Sequence, residues 1–339
     1  MINIDGLYVE ITDKCNLSCS YCCRECSPKK GHYLDVKVID ELLNGALRLG
    51  AKTIAVSGGE PLLHPELNEI VSLTHNYGCA NTILTNGVLL PKITKEVVRL
   101  FDNIQISLDS GIQQTNDLTR GKGSYKGILN GITHIISEGY KPEMIALKMT
   151  LTSQNYREIE YIFKLAENLG IKTVGFSFLF EEGRAKGDNE SLLSDVQKEQ
   201  VLTNIQEIER TYPQIIVYPP GFTDECPLIH RSRVSPRIDC FGNVYACQMF
   251  EKEYSLGNIY EKDISKILNG ETFENLVSMI ESRQASMPEC ERCILVKRCK
   301  RGCPAVASHS GNILQTDGMC NIRRGSIIRN IMNHKTCSV

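Results

Sequence analysis

The sequence predicts an α/β fold: a parallel sheet forming a partial (β/α)6 barrel of the TIM type, followed by a small Cys-rich α+β module. Two observations lead to this fold class. Between residue 6 and about residue 180, short β-rich runs alternate with helical stretches, and repeated β–α alternation implies a parallel sheet with right-handed crossovers. Beyond residue 180 the alternation stops, and residues 226–320 contain eight of the 15 cysteines.

Six runs rich in β-branched and aromatic residues predict the strands of the sheet. They are Leu7–Thr12, Thr53–Ser57, Asn81–Thr85, Ile104–Leu108, Ile145–Thr152 and Thr173–Leu179. Six strand–helix units are too few for a closed barrel of eight strands, but they are enough for an open one. The alternation by itself is equally compatible with a doubly wound sheet.

Helices are predicted between the strands and beyond them, near residues 36–49, 66–77, 92–100, 124–138, 156–169 and 195–211. Several end in glycine, as at Gly50 and Gly170, because glycine adopts the left-handed conformation that commonly follows a helix. The polar run from residue 181 to 195 predicts a loop. A hairpin is expected around Phe241–Asn243, and helical segments are expected near residues 262–281.

The change in composition predicts a domain boundary near residues 215–220, where Pro213, Pro219 and Pro220 interrupt the chain. Residues 1–215 then form the barrel, residues 216–325 the Cys-rich module, and residues 326–339 a C-terminal helix or tail. The module has too little apolar material to form a core unaided, so bound metal is expected to contribute to its folding free energy.

Composition and charge exclude several classes of protein. The 339 residues are 42% hydrophobic and 23% charged, as in soluble globular proteins. The formal net charge of −2 gives no attraction to nucleic acid or to anionic membrane. The first residues lack a secretory signal, and no apolar run approaches the ~18 residues that span a bilayer. A cytoplasmic location is expected, with neither nucleic acid nor membrane as partner.

The first cysteine group, Cys15, Cys19 and Cys22, directly follows the first predicted strand, where barrel loops carry active sites. Cytosolic thiols stay reduced, so clustered cysteines favour metal ligation over disulfides. Three thiolates can hold three irons of a [4Fe–4S] cube, which leaves the fourth iron open to a small molecule. A zinc site with Cys26 as the fourth ligand is the alternative.

The stretch CNLSCSYC, residues 15–22, resembles the signature of radical S-adenosylmethionine (SAM) enzymes. Three further segments are similar to motifs of that family, in the order the family requires: SGGEPLLHPEL (57–67), ILTNG (83–87) and ISLDS (106–110). The resemblance implies roles for six residues toward SAM. Tyr21 would pack beside the adenine, Gly58, Gly59 and Glu60 would meet the methionine amino group, and Ser107 and Arg120 would approach the carboxylate.

The resemblance also implies the reaction. One electron from the [4Fe–4S] radical SAM cluster would cleave iron-bound SAM into methionine and a 5′-deoxyadenosyl radical, which abstracts a hydrogen atom from the substrate. The protein would orient the substrate and exclude water. An electron donor such as flavodoxin or ferredoxin is the implied partner.

The second cysteine group, Cys290-x2-Cys293-x5-Cys299-x3-Cys303-x16-Cys320 with Cys226 and Cys247 upstream, resembles the seven-Cys SPASM module of radical SAM enzymes. The resemblance implies two auxiliary [4Fe–4S] clusters. Cys226, Cys247 and Cys303 would ligate the first, and Cys290, Cys293, Cys299 and Cys320 the second. The fourth ligand of the first cluster is left open, since only Cys240 is spare in this region. A pair of zinc knuckles is the alternative.

Two further cysteines, Cys23 and Cys26, lie in the loop of the first group. Radical SAM peptide epimerases use a Cys thiol as hydrogen-atom donor, and one group of them resembles this loop in carrying extra cysteines. The resemblance makes Cys23 and Cys26 candidate catalytic donors, and ordinary loop packing is the alternative. Cys79 is predicted to be a small core residue.

Three functions compete for the whole chain. SPASM modules occur most often in enzymes that cross-link, epimerise or oxidise ribosomally made peptides, so a peptide substrate is expected. Only 14 residues precede Cys15, so a separate leader-binding protein or direct docking on the barrel is also expected. Small-molecule cofactor, tetrapyrrole or antibiotic biosynthesis is the alternative, and a non-catalytic iron–sulfur or zinc scaffold is the third. Gln248 stands where sulfatase-maturing enzymes carry an acidic base, which disfavours that activity.

Overall fold

The computed structural model describes residues 2–220, 226–230, 234–285, 287–299, 301–309 and 311–335. Its strands are β1 (Gly6–Glu10), β2 (Thr53–Ser57), β3 (Ala80–Thr85), β4 (Asn103–Ser107), β5 (Ile145–Leu151), β6 (Thr173–Phe178), β7 (Ile216–Tyr218), β8 (Arg237–Ile238), β9 (Asn243–Tyr245) and β10 (Gly257–Asn258). In this part of the chain they form one open sheet, in the order β10-β9-β8-β1-β2-β3-β4-β5-β6-β7.

The six predicted strands are confirmed as β1 to β6, with boundaries that differ by at most two residues. Each pairs in parallel with the next, and Val9 lies opposite Val56 in the first pair. The sheet does not close on itself, so the predicted partial barrel is also confirmed. The short strand β7 was not predicted; it extends the sheet beside β6.

The helices are α1 (Val36–Arg48), α2 (Leu67–Asn76), α3 (Lys95–Val98), α4 (Gln113–Arg120), α5 (Ser124–Ser137), α6 (Ile159–Leu169), α7 (Asp195–Thr211), α8 (Ile264–Leu268), α9 (Glu271–Ala285), α10 (Pro288–Glu291), α11 (Val296–Cys299), α12 (Pro304–His309) and α13 (Cys320–Lys335). Among the described residues, no helix has the length and apolarity needed to cross a bilayer. Asp35 caps the N-terminus of helix α1, since its carboxylate accepts a hydrogen bond from the Lys37 backbone amide. Gly170 ends α6 in the left-handed conformation, with φ of 73°.

The two faces of the barrel sheet differ in polarity. In β5, Ile145, Leu147, Met149 and Leu151 are fully buried in the core, whereas the alternate residues Lys148 and Thr150 line a cavity inside the barrel. Successive side chains of a strand point to opposite faces. The apolar face therefore packs under the helices, and the polar face is available for ligands.

The Cys-rich region is hydrogen-bonded to the barrel. Strand β8 pairs in parallel with β1, so that Arg237 lies opposite Tyr8. The predicted hairpin around Phe241–Asn243 is confirmed, because β8 and β9 pair in antiparallel. Helix α13 runs through residue 325 without a break, so the predicted module and tail share one helix.

Candidate active site

A cavity of about 470 Å³ opens where β1 to β6 end and their loops begin. Its volume falls in the ~300–1,000 Å³ range of small-molecule sites. Nearly all residues predicted for the first site line it: Cys15, Cys19, Tyr21, Cys22, Cys23, Cys26, Gly58, Gly59, Ser107 and Arg120. The exception is Glu60, which is completely buried and does not line the cavity.

The loop that carries the first cysteine group spans residues 14–27, and we call it the cluster loop. It is closed at its base, where Lys14 and Ser27 form a β-bridge and the Cys15 amide donates to the Ser27 carbonyl at 3.2 Å. Within the loop, Glu25 has a positive φ of 52° and donates its amide hydrogen to the Cys22 carbonyl. This tight turn reverses the chain after Cys22, and Cys15, Cys19 and Cys22 all line the cavity.

The thiols of the cluster loop form a donor set that suits an iron–sulfur cluster. Burial raises the pKa of Cys15 to about 12, so a thiolate at this position needs a cationic partner, which metal coordination supplies. Cys19 and Cys22 are half-buried and line the same cavity. In the described ranges, no three His, Cys, Asp or Glu side chains converge on the position of a single metal ion.

The glycine pair Gly58–Gly59 lies against the start of the cluster loop. The Gly59 amide donates to the Thr12 carbonyl at 2.7 Å. A Cβ atom at Gly58 would lie 2.3 Å from the Thr12 carbonyl oxygen, and one at Gly59 would lie 2.3 Å from that of Lys14. No side chain fits at either position, so this pair sets the distance between the β2 loop and the cluster loop.

Glu60 is completely buried and makes its hydrogen bonds within the protein. Its carboxylate accepts from the Thr85 hydroxyl at 2.7 Å, from the Asn86 amide at 2.8 Å and from the Leu62 amide at 3.2 Å. Burial raises the pKa of Glu60 to about 7. Glu60 thus joins the loop after β2 to the loop after β3, and its contact with a methionine amino group stays a prediction.

Sequence reasoning missed Asp109, a completely buried carboxylate directly after β4. It binds the Arg120 guanidinium, with Nε at 2.8 Å from Oδ2 and Nη2 at 3.0 Å from Oδ1. Tyr21 donates its phenolic hydrogen to Asp109 and accepts from Arg120 Nη2 at 2.7 Å. The Arg120 charge is therefore already paired, and the triad fixes Tyr21 against the cavity. The signal was present in the ISLDS motif, whose Asp had no assigned role.

A second missed residue is Lys148, which is the register partner of Ser107 on β5. Its ammonium donates to the Phe176 carbonyl at 2.7 Å. In the part of the chain that the structure describes, no carboxylate pairs with it, and burial lowers the pKa of Lys148 to about 8. A half-buried ammonium without a carboxylate partner, beside a ligand cavity, is suited to binding an anionic group.

We expect the variant Lys148→Met to be more stable than the wild-type chain at pH 7, by about 1–3 kcal/mol, since each pKa unit is worth ~1.4 kcal/mol. The folded-state pKa lies below the unfolded one, so the buried charge destabilises the fold at low pH. This penalty is relieved between pH 8 and about pH 10.5. Urea unfolding of wild type and Lys148→Met at both ends of that window would measure the difference in their free energies of unfolding.

The control for this comparison is Lys172→Met, at an exposed lysine just before β6. Its stability should stay within ~0.5 kcal/mol of wild type at every pH. A Lys148→Met variant that is less stable than wild type at pH 7 would contradict the assignment of Lys148 as an unpaired buried cation.

The two candidate donors differ in their surroundings. Cys23 is exposed, and it lines both the barrel cavity and a second cavity of about 250 Å³ beside the β8–β9 hairpin. Cys26 is 3% exposed and lies 3.6 Å from the Arg24 carbonyl. Its thiol also donates a hydrogen bond to Cys22, which lowers the pKa of Cys22. Of the two, Cys23 is the more exposed residue, although burial of its thiol raises the pKa of Cys23 to about 12.

The cysteines of the second group separate into two sets. Cys247 interacts electrostatically with Cys303 and Cys226. Cys290 interacts in this way with Cys299 and Cys293, and Cys320 with Cys299 and Cys290. These sets have the same membership as the two predicted ligand sets. Cys240 lies apart from the first set: it lines the second cavity and interacts with Asp13 and Asp239.

Comparison with known proteins identifies the family. The model of the radical SAM superfamily matches residues 9–166, and the model of the SPASM iron–sulfur cluster-binding domain matches residues 226–294. The first match contains Cys15, Cys19 and Cys22. The second ends before Cys299, Cys303 and Cys320.

Several named proteins are similar to this chain. The subtilosin biosynthesis protein AlbA of Bacillus subtilis is 28% identical over 77% of this chain, which spans only 58% of AlbA. The Fe-coproporphyrin III synthase of Methanosarcina barkeri is 27% identical, covering 94% of this chain and 88% of the relative. The PqqA peptide cyclase of Gluconobacter oxydans is 26% identical, covering 94% and 90%.

Among solved structures, Streptococcus suis SuiB bound to S-adenosylmethionine superimposes with a TM-score of 0.75 at 15% identity, covering 93% of this chain and 76% of SuiB. That likeness establishes the fold. Together with the two family models, the cysteine-lined cavity shows that the chain belongs to the radical SAM superfamily, whose enzymes use SAM and a [4Fe–4S] cluster, and that it carries a SPASM domain.

Proposed function

We propose that this enzyme modifies a ribosomally made peptide by abstracting a hydrogen atom from one of its residues. The observation that carries the proposal is the cavity itself. It brings the three proposed cluster ligands, every proposed SAM contact except Glu60, and an ammonium group without a carboxylate partner to the open ends of the barrel strands. AlbA and the PqqA peptide cyclase, whose names refer to peptide products or substrates, support this substrate class.

When SAM and the cluster are bound, they supply a 5′-deoxyadenosyl radical. The chain's own residues would hold these groups and the substrate. Cys15, Cys19 and Cys22 would ligate three irons, Tyr21 would pack on the adenine, and Ser107 with Lys148 would receive a carboxylate. Arg120 acts on this site through Tyr21 and Asp109, and the polar barrel face orients the peptide.

A small-molecule substrate is the second candidate. One observation favours it: the Fe-coproporphyrin III synthase covers as much of this chain as the peptide cyclase does. The two functions separate in a simple assay. Reconstituted enzyme, reduced and supplied with SAM, is incubated either with short peptides encoded beside its gene or with iron-tetrapyrrole precursors of Fe-coproporphyrin III, the product in that relative's name.

We expect reconstitution under anaerobic conditions to yield about twelve irons per chain, four for each of three clusters. Reduction should then release 5′-deoxyadenosine, and a neighbouring peptide should change mass in a SAM-dependent manner. Formation of Fe-coproporphyrin III from a tetrapyrrole precursor, with no change in any peptide, would replace the first function by the second. A chain that binds zinc and cleaves no SAM would overturn both.

We also propose that Cys23 is the hydrogen-atom donor if the modification is an epimerisation. Its S–H bond would break as a C–H bond forms on the substrate radical, and a low-potential one-electron donor with a proton would restore the thiol. In deuterated water, the wild-type product should carry one deuterium. Cys23→Ala should lose this label while SAM cleavage stays within about twofold of wild type.

The matched control is Cys79→Ala, which removes a buried core thiol remote from both cavities. It should retain the deuterium label. If the Cys23→Ala enzyme still introduces deuterium into its product, Cys23 is not the hydrogen-atom donor.

A further inference from the structure

The loop after β6 is hydrogen-bonded to the cluster loop through residues Glu182–Arg184. We call these three residues the brace. Arg184 carries most of these contacts. Its Nε donates to the Cys19 carbonyl at 2.7 Å, and both terminal nitrogens donate to the Cys26 carbonyl at 3.0 Å. The Arg184 backbone amide donates to the Cys22 carbonyl at 3.1 Å. One residue thus holds three carbonyls of the cluster loop.

Gly183 permits this close approach. It has a positive φ of 57°, a conformation that glycine adopts without steric cost. A Cβ atom at Gly183 would lie 2.5 Å from the carbonyl oxygens of both Cys22 and Cys23. A side chain at this position would push the brace away from the proposed ligands.

Glu182 extends the brace to the second cysteine group. Its carboxylate lies 2.5 Å from Nη1 of Arg24, a residue of the cluster loop. Arg24 also binds Glu10 at 2.7 Å and the carbonyl of Gln248 at 2.7 Å. Gln248 directly follows Cys247, a proposed ligand of the first auxiliary cluster. The Arg24 guanidinium therefore connects the cluster loop to the segment that carries Cys247.

The brace has two physical effects on whatever the thiols bind. Most of the cluster loop lacks regular secondary structure, so its carbonyls need partners, and charge-assisted bonds from a guanidinium are the strongest available. The Arg184 charge also lies close to the proposed ligands, and it interacts electrostatically with Cys19 and Cys22. Charges and hydrogen bonds around a cluster set its reduction potential.

We propose that Arg184 is a positioning residue of the radical SAM cluster: it fixes the three cysteines through their backbone and eases cluster reduction through its charge. Glycine at position 183 and the Glu182–Arg24 pair support the same geometry. This role acts on the cofactor alone and does not depend on the substrate class.

The test compares reconstituted wild-type enzyme with Arg184→Gln and Arg184→Lys. The cluster with the open iron is identified by the change in its electron paramagnetic resonance (EPR) signal when SAM is added. At a fixed solution potential, Arg184→Gln should lower the ratio of reduced to oxidised cluster by about tenfold. Iron loss to a chelator should accelerate by a similar factor, because the loop is less constrained.

Arg184→Lys separates the two effects, since it keeps the charge and loses the two-pronged contact. It should recover most of the reduced fraction while iron loss remains fast. The control is Lys186→Gln, an exposed cation two residues further along, which should match wild type in both measurements.

The proposal is overturned if Arg184→Gln keeps the wild-type reduced fraction, SAM-induced signal and rate of iron loss. Should Arg184→Gln fail to fold, Arg184→Lys decides alone: wild-type iron retention in that variant also overturns the proposal. Neither result would affect the proposed function, which rests on SAM cleavage by the wild-type enzyme.

Discussion

Alanine in place of Cys15, Cys19 or Cys22 is expected to abolish SAM cleavage. Three of the four irons of the proposed cluster take one Cys ligand each, so a missing thiol leaves a second iron open and the cluster unstable. The iron content should fall by about four per chain. The Asn86 side chain, whose Nδ2 lies 3.8 Å from the Cys15 sulfur, cannot replace a thiolate ligand. The measurement is 5′-deoxyadenosine released per enzyme after reduction.

Alanine at Cys290 or Cys293 should behave differently. Both cysteines belong to the set around Cys320 and Cys299, away from the barrel cavity. These variants should lose iron and product formation but retain some uncoupled SAM cleavage, because the first cluster is intact. Equal loss of cleavage in both groups of variants would show that the two sites do not act separately.

The variant Asp109→Asn is expected to lose about 3–5 kcal/mol of stability, the usual cost of leaving one partner of a buried ion pair without the other. Asp109 is fully buried and Arg120 is 7% exposed. Asparagine keeps the size of the side chain and removes the charge that pairs with Arg120. Anaerobic urea unfolding followed by circular dichroism would measure the change.

A matched control is Asp263→Asn, at an exposed ion pair with Arg48. Asparagine can still cap helix α8 as Asp263 does, and surface pairs contribute only ~0–1 kcal/mol. If the two Asn variants lost similar stability, burial of the Asp109–Arg120 pair would not be the cause of the loss. The double variant Asp109→Asn with Arg120→Gln should be more stable than Asp109→Asn alone.

Much of the fold could be predicted because hydrophobic patterns report burial. Strand β5 alternates buried and half-buried residues, and its period of two is readable without a structure. Helix α4 was not predicted because its segment lacks a hydrophobic pattern. Its segment QQTNDLTR has one apolar residue, Leu118, which is 67% exposed, so no apolar periodicity marks the helix. Arg120 is the last residue of this helix and lines the cavity, and a charged residue in such a position leaves no hydrophobic signal.

The candidate site was predictable only where residues form a motif. Cysteine spacing indicated the proposed cluster ligands, and the glycines of GGE and Ser107 of ISLDS indicated residues that line the cavity. Arg184 gave no such signal. It stands in a polar stretch that predicts a loop, and its hydrogen-bond partner Cys19 is 165 positions earlier in the chain. Lys148 was also missed, because a single lysine in a strand says nothing about which face the fold will enclose.

The pairing of β8 with β1 has a consequence for any attempt to divide this enzyme. Strand β1 carries the cluster loop, and its outer hydrogen-bonding groups are satisfied by residues more than 220 positions later. A fragment that ends before β8 would leave β1 as an unpaired edge strand next to the cluster loop. Exposed edge strands tend to pair with other molecules and aggregate. The barrel and the Cys-rich region therefore share one sheet, and β8 completes the hydrogen bonding of the strand that leads into the cluster loop.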